Sequence, residues 1–195
     1  MAIQKEHEHM QPSAFLVGYA ETYVKLAKHR IIFISEDISN DLASELSALL
    51  LHFDNEDHSA LIEIYINSHG GDVSGLFNIC DVMQIISAPI RTICAGCAYS
   101  AAAVILSSGS KGERCAFKHS RIMIHGIQCV FPIPGFDMNR IKNYHDFMLE
   151  NNDNIMKILA DNTKTPLEKI RKDCNENVWM TPQMALEYGI IDRIL

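Results

Sequence analysis

The stretch "AGCAYSAAAVIL" (95–106) sets one serine, Ser100, among small and apolar residues. A serine hydroxyl becomes a nucleophile only where a base takes its proton and N–H donors stabilise the oxyanion that follows. The strand "IRTICAG" (90–96) is predicted to end at Gly96 and a helix to begin near Tyr99. That places Ser100 in a first helical turn, where backbone N–H groups lack intrahelical acceptors and suit a developing negative charge. Ala101, Ala102 and Ala103 let such a helix approach a sheet closely and hold the nucleophile on a rigid element. The same residues also read as a plain close contact, with the Ser100 hydroxyl bonded back to a carbonyl. Locally, both readings stand.

A base is sought among nine histidines. His125 ends the apolar run "RIMIH" just before Gly126, and strand ends place polar groups at the rim of a sheet; a hydrogen-bonded core histidine is the alternative. His7, His9, His52, His58 and His119 lie in polar surroundings and read as solvated surface. Gly70-Gly71 would let the chain pass close to a substrate carbonyl and offer a second backbone N–H. Cys94 and Cys97 form a C-x-x-C with no second pair at zinc spacing, so they read as small buried side chains in a strand, and no metal site is expected.

These residues need elements to hold them. "IIFIS" (31–35) reads as a strand, followed by a helix whose Leu42, Leu46, Leu49, Leu50 and Phe53 recur at helical spacing, with Asn40 as N-cap. "LIEIYINS" (61–68) alternates like a strand, stops at "HGG" and passes into a helix carrying Leu76, Ile79, Met83 and Ile86 on one face. "ERCAF" and "RIMIHG" are short extended runs. A longer helix is predicted from Phe136 to about Asn162, with Met138, Ile141, Met148, Ile155 and Leu159 on one side, and it is expected to project. Thr165-Pro166-Leu167-Glu168 reads as a capping box, Thr181-Pro182 as a second helix start, and Gly189 as the end of that helix. Strand and helix alternate throughout, which argues for α/β with helices on the sheet faces.

With 195 residues, 48% of them hydrophobic, the chain fits one well-filled domain (1–195). No run approaches the ~20 apolar residues of a membrane span, and "MAIQKEHEHMQPSAF" lacks the apolar stretch of a secretory signal. A cytoplasmic location is expected, with no membrane partner, and the scattered cysteines suit a reducing compartment. A net charge of −7 without a basic patch excludes nucleic acid as an expected partner.

From about Ser13 to Leu195 the chain resembles the ATP-dependent Clp protease proteolytic subunit family, ClpP. "IYINSHGGDVSGLFNICDVMQ" is similar to the family's Y-I-N-S-P-G-G followed by a helix ending D-T-M-Q. "TICAGCAYSAAAVILSSGSKGER" is similar to its T-x-x-x-G-x-A-x-S block, "SRIMIHG" to S-R-x-M-I-H, and "PLEKIRKD" with "MTPQMALEYGIIDRIL" to its C-terminal pattern. The resemblance implies a crotonase-like spiral of repeated β-β-α units, with a handle region at about 127–162 and an N-terminal tail at 1–20. It implies Ser100 as nucleophile, His125 as general base and the N–H groups of Gly71 and Ala101 as oxyanion hole, with no metal or organic cofactor. It further implies homo-heptamers stacked into tetradecamers, or rings mixed with a second ClpP, enclosing unfolded polypeptide delivered by an AAA+ unfoldase of the ClpX, ClpA or ClpC type.

The chain departs from the family pattern in two places. "NENVWMT" puts Asn177 where the family has the triad aspartate, and asparagine orients an imidazole without stabilising imidazolium by charge. Asp173 lies four residues earlier but does not align with that position. "GIQCVFPIPGFD" replaces a glycine-rich strand, and Pro132 and Pro134 each remove a donor N–H from it. A serine endopeptidase subunit is therefore the leading expectation. Beside it stand a weakly active or inactive structural paralogue assembling with a full-triad subunit, and a crotonase-type acyl-CoA enzyme.

Overall fold

The computed structural model describes residues 14–128 and 137–195. Residues 1–13, Cys129 and the segment bearing Pro132 and Pro134 lie outside these. The described chain is α/β, with seven helices and one seven-stranded sheet. Helix α1 (Ala14–Ala27) leads into strand β1 (Ile31–Ile34), α2 (Asn40–Glu56), β2 (Ile62–Ser68) and α3 (Val73–Ile85). Then come β3 (Ile90–Tyr99), α4 (Ala101–Ser107), β4 (Arg114–Ala116) and β5 (Arg121–Ile124). The chain closes with α5 (Met138–Thr163), α6 (Leu167–Cys174), β6 (Val178–Met180), α7 (Pro182–Tyr188) and β7 (Arg193–Ile194). Helix α1 was not expected, and it begins inside the stretch read as a tail.

The sheet runs β1-β2-β3-β4-β7 with parallel pairing throughout, and β5 branches from β3 to meet β6 antiparallel. Parallel strands covered on both faces are rich in β-branched apolar residues, and here Ile34, Ile62, Ile64, Ile66, Ile90 and Ile93 are at most 2% exposed. Helices α2 and α3 cover the sheet through Leu46, Leu50 and Phe53, and through Leu76, Ile79 and Cys80. Helix α4 is buried all round, as its run of six apolar residues requires, and Ser107 at its end donates to the Val104 carbonyl at 2.7 Å.

Strand β3 is the pivot of the architecture. Its first half pairs Thr92–Cys94 with Arg114–Ala116 of β4, while its second half pairs Cys97–Tyr99 with Arg121–Met123 of β5. The strand does not end at Gly96, as the sequence suggested. Gly96 instead bends it at φ +121, a left-handed conformation that glycine adopts freely, and a Cβ there would lie 2.4 Å from Asn67 Oδ1. Asn67 Oδ1 in turn accepts the Cys97 N–H at 3.1 Å. Both C-x-x-C residues thus sit on β3, and the five described cysteines are free thiols. Burial pushes the Cys94 thiol up to about 12.

Two helix starts differ from expectation. Ser39 rather than Asn40 caps α2, its hydroxyl accepting from the Leu42 N–H at 3.1 Å. Thr165 forms no capping box, because its hydroxyl donates to the Tyr188 carbonyl at 3.2 Å, and Pro166 stands at the N-cap of α6. Helix α7 follows the sequence reading: Thr181 caps it and Gly189 ends it at φ +88. Helix α5 is 26 residues long, about 39 Å at 1.5 Å per residue. Ile155, Met156 and Leu159 are its buried apolar anchors, whereas in its first half Met138 is 78% exposed.

Behind β4, the Arg114 side chain is 7% exposed and grips Asp192 with two bonds, Nε to Oδ2 at 2.8 Å and Nη2 to Oδ1 at 2.6 Å. Its Nη1 donates to the Asn162 carbonyl at the end of α5 at 2.9 Å. Burial works to raise the Asp192 carboxyl, but bonds from Arg114 and Gly112 outweigh it and hold the group below its ordinary value. Breaking a buried pair from one side strands the other charge. Arg114→Met is expected to cost about 3–5 kcal/mol, read as the shift in a urea unfolding curve.

Candidate active site

Ser100 occupies the residue between β3 and α4. It is the N-cap of α4 rather than a member of its first turn, because β3 continues to Tyr99. Its backbone is at φ +54, ψ −125, a region that costs a non-glycine residue of order 1–3 kcal/mol and persists only where the surroundings enforce it. Two sets of bonds enforce it here. The Ser100 N–H donates to the Met123 carbonyl at 2.8 Å, and its carbonyl accepts from Ala103 and Val104 at 3.0 and 3.3 Å. The side chain makes no capping bond, so the hydroxyl is not spent on its own helix.

Gly70 packs directly against this turn. A Cβ on it would lie 2.7 Å from Ser100 Cβ and 2.8 Å from the Tyr99 carbonyl oxygen, at a backbone φ of +104. Only glycine fits such a position. Its neighbour Gly71 is wedged against Ile38: the Ile38 N–H donates to the Gly70 carbonyl and the Asp72 N–H to the Ile38 carbonyl, each at 2.7 Å. Asp72 then caps α3 by accepting from the Gly75 N–H. The loop after β2 is therefore fixed from both sides.

His125 follows β5 by one residue. The next N–H, of Gly126, donates to the Cys174 carbonyl at 2.7 Å, and that of Ile127 to Asn152 Oδ1 at 2.9 Å. These bonds tie the segment after the imidazole to α6 and α5. The His125 Nδ1 atom is buried and has no hydrogen-bond partner among the described residues. Desolvation holds the imidazole below its ordinary pKa, so the ring is neutral at pH 7.

A cavity of about 370 Å³ opens where these pieces meet. Ser100, Ala101, Gly71 and His125 all line it, with Val73, Leu76, Val104, Ile155 and Leu159 as an aliphatic floor. Asn177 is exposed and is not among the lining residues. The antiparallel register of β5 and β6 pairs Ile124 with Val178, and one further step sets position 177 opposite position 125. Asn177 and His125 thus adjoin the last pair of the ladder, and His125 Nδ1 makes no hydrogen bond. Asp173 is engaged elsewhere, accepting from Lys169 Nζ at 2.5 Å and from the Tyr188 hydroxyl at 2.6 Å.

His69, which no sequence pattern singled out, also lines the cavity, as does Tyr99. The one available signal for His69 was its place beside Gly70-Gly71 at the end of a strand. Chemically, the arrangement offers a free hydroxyl on a strained turn, a neutral imidazole, and backbone N–H groups beside an apolar pocket. Such a set suits nucleophilic attack on a carbonyl.

The Clp protease family model matches residues 18–195. The ATP-dependent Clp protease proteolytic subunit 1 of Prochlorococcus marinus is 38% identical over 176 residues, covering 89% of this chain and 87% of that protein. The ATP-dependent Clp protease proteolytic subunit of Bacteroides fragilis is 37% identical over 186 residues, covering 92% and 85%. The strand-borne site and these matches over most of both lengths agree, and the chain belongs to the Clp protease family.

Proposed function

We propose that this chain is the serine-type proteolytic subunit of an ATP-dependent Clp protease, with Ser100 attacking the peptide carbonyl and His125 taking its proton. Gly71 and Ala101 donate their backbone N–H groups to the oxyanion, and His125 then returns the proton to the leaving amine. The observation that carries this reading is the strained Ser100 turn opening, with its hydroxyl uncommitted, into the cavity that His125 also lines. Asn177 is assigned to orient His125, which requires it to reach Nδ1. A fluorophosphonate probe is expected to label Ser100, and Ser100→Ala to abolish both labelling and peptide cleavage. A folded, assembled chain that resists the probe overturns the assignment.

The finer architecture belongs to the same proposal. We read the branching sheet as a crotonase-like spiral and residues 1–195 as one peptidase domain with its handle near 127–162. The projecting half of α5 joins rings, heptamers stack into tetradecamers, and a Clp-type AAA+ ATPase feeds unfolded chains to a cytoplasmic chamber. Support comes from the exposed Met138, Phe147 and Leu149 on α5, which need cover. Among the described residues no helix is long and apolar enough to cross a membrane.

A second reading rests on His125 Nδ1. An imidazole without an acceptor on its far nitrogen is a poorly held base, which favours a subunit that cleaves weakly alone and gains activity in rings mixed with a full-triad partner. Replacing the triad aspartate by asparagine costs ~10⁴ in kcat in the serine-protease example. Asn177→Asp is accordingly expected to raise kcat by about 10- to 10⁴-fold on a short fluorogenic peptide. Equal activity of the two forms overturns this second reading.

The pH profile follows from desolvation. His125 works as a base only when neutral, and its pKa lies below the ordinary 6.5. Activity is expected to rise with pH through a midpoint below 6.5 and to stay level at neutrality. Asn177→Asp adds negative charge, favours imidazolium and moves that midpoint upward. The check is kcat/KM against pH for both forms.

A further inference from the structure

Three rings flank the cavity without a role in the chemistry above. His69 directly precedes Gly70-Gly71, Tyr99 directly precedes Ser100, and Trp179 sits in the middle of β6. The His69 imidazole lies almost parallel to the Tyr99 ring, with centroids 5.4 Å apart and 10° between planes. Tyr99 meets Trp179 edge to face at 4.9 Å and 75°. His69 is exposed, Tyr99 half-buried between the other two, and Trp179 is 53% exposed.

This ladder is continuous with the site. His69 and Tyr99 line the same cavity as Ser100 and His125, and Trp179 stands opposite Met123, another lining residue, in the β5–β6 register. The floor of the cavity is aliphatic, so it offers apolar area without a π-face. Aromatic rings attract a further ring through offset-stacked or edge-to-face contact, in addition to burial of area. Both lining rings belong to residues adjacent in sequence to the groups that would handle the carbonyl. A side chain next to the scissile bond therefore meets rings on this wall.

We propose that the His69–Tyr99–Trp179 ladder is a specificity wall that receives an aromatic side chain of the substrate peptide beside the bond to be cut. The proposal rests on the peptidase reading for its substrate class and deepens it by naming the discriminating residues. His69 is a specificity residue here, and Tyr99 and Trp179 hold its plane.

The test uses the Ser100→Ala chain, which binds peptide without turning it over, and two peptides that differ only in phenylalanine against cyclohexylalanine. These side chains share a carbon skeleton, but only one has a π-face. Trp179 is the only tryptophan of the chain, so its fluorescence reports on the wall directly. The phenylalanine peptide is expected to bind about 2- to 10-fold tighter and to perturb Trp179 emission. Adding His69→Ala brings the ratio close to one, and His69→Phe restores it. Equal binding of the two peptides, binding of neither, or a ratio that survives His69→Ala overturns the wall. Cleavage of both peptides is measured in parallel with the intact chain and with its Asn177→Asp form, so that weak turnover by the lone chain is not scored as none. A binding ratio without cleavage removes the peptidase reading and leaves the wall standing, whereas cleavage without a ratio does the reverse.

Discussion

The hydrogen bond from the Ser100 N–H to the Met123 carbonyl is the constraint on which the site depends. It fixes the serine to the neighbouring strand at the one residue where the backbone leaves β3 and has not yet entered α4. Without it, nothing on the strand side would hold φ at +54, and a relaxed turn would swing the hydroxyl toward its own helix. The same bond sets the distance along the sheet between Ser100 and His125, since His125 lies two residues beyond Met123. This main-chain contact thus links the strand-side conformation of Ser100 to its spacing from the imidazole.

That contact exists because β3 changes partners. A straight strand paired with β4 along its full length would leave β5 no edge to join, and His125 would fall elsewhere. Gly96 supplies the bend, and Asn67 fills the space that a side chain at 96 would need. The apolar face of α4 then closes the rear of the turn, and Gly70 closes its front. Chemistry at the rim is supported by packing that leaves no room for substitution on either side.

Much of this was legible in the sequence. Alternation in "LIEIYINS", the helical spacing from Leu42 to Phe53, and the Thr181-Pro182 start with Gly189 stop predicted β2, α2 and α7 because each signal is local. Ser100, His125 and the Gly70-Gly71 turn stood out because strand ends and strand-to-helix turns are where polar groups reach a sheet rim, whereas the N–H of Ala101 was named only through the family resemblance; Ser100, His125, Gly71 and Ala101 line one cavity. The bend at Gly96 was misread as a stop, since a glycine that redirects a strand and one that ends it look alike without the partner strands. Thr165 misled for a similar reason: its hydroxyl has a choice between its own helix and Tyr188, and only the packed chain decides. His69 escaped notice because a histidine next to two glycines carries no periodicity; its stacking partner is 30 residues away in sequence.

The clasp between Arg114 and Asp192 bears on how the molecule is made. Synthesis is vectorial, so a nascent chain exposes Arg114 long before residue 192 leaves the ribosome, and β4 waits for β7 on one edge. Until then the guanidinium keeps its water, and the carbonyl of Asn162 has no donor from that side. The edge formed by β4 and β7 therefore closes only after residue 192 has emerged, later than Ser100 and His125.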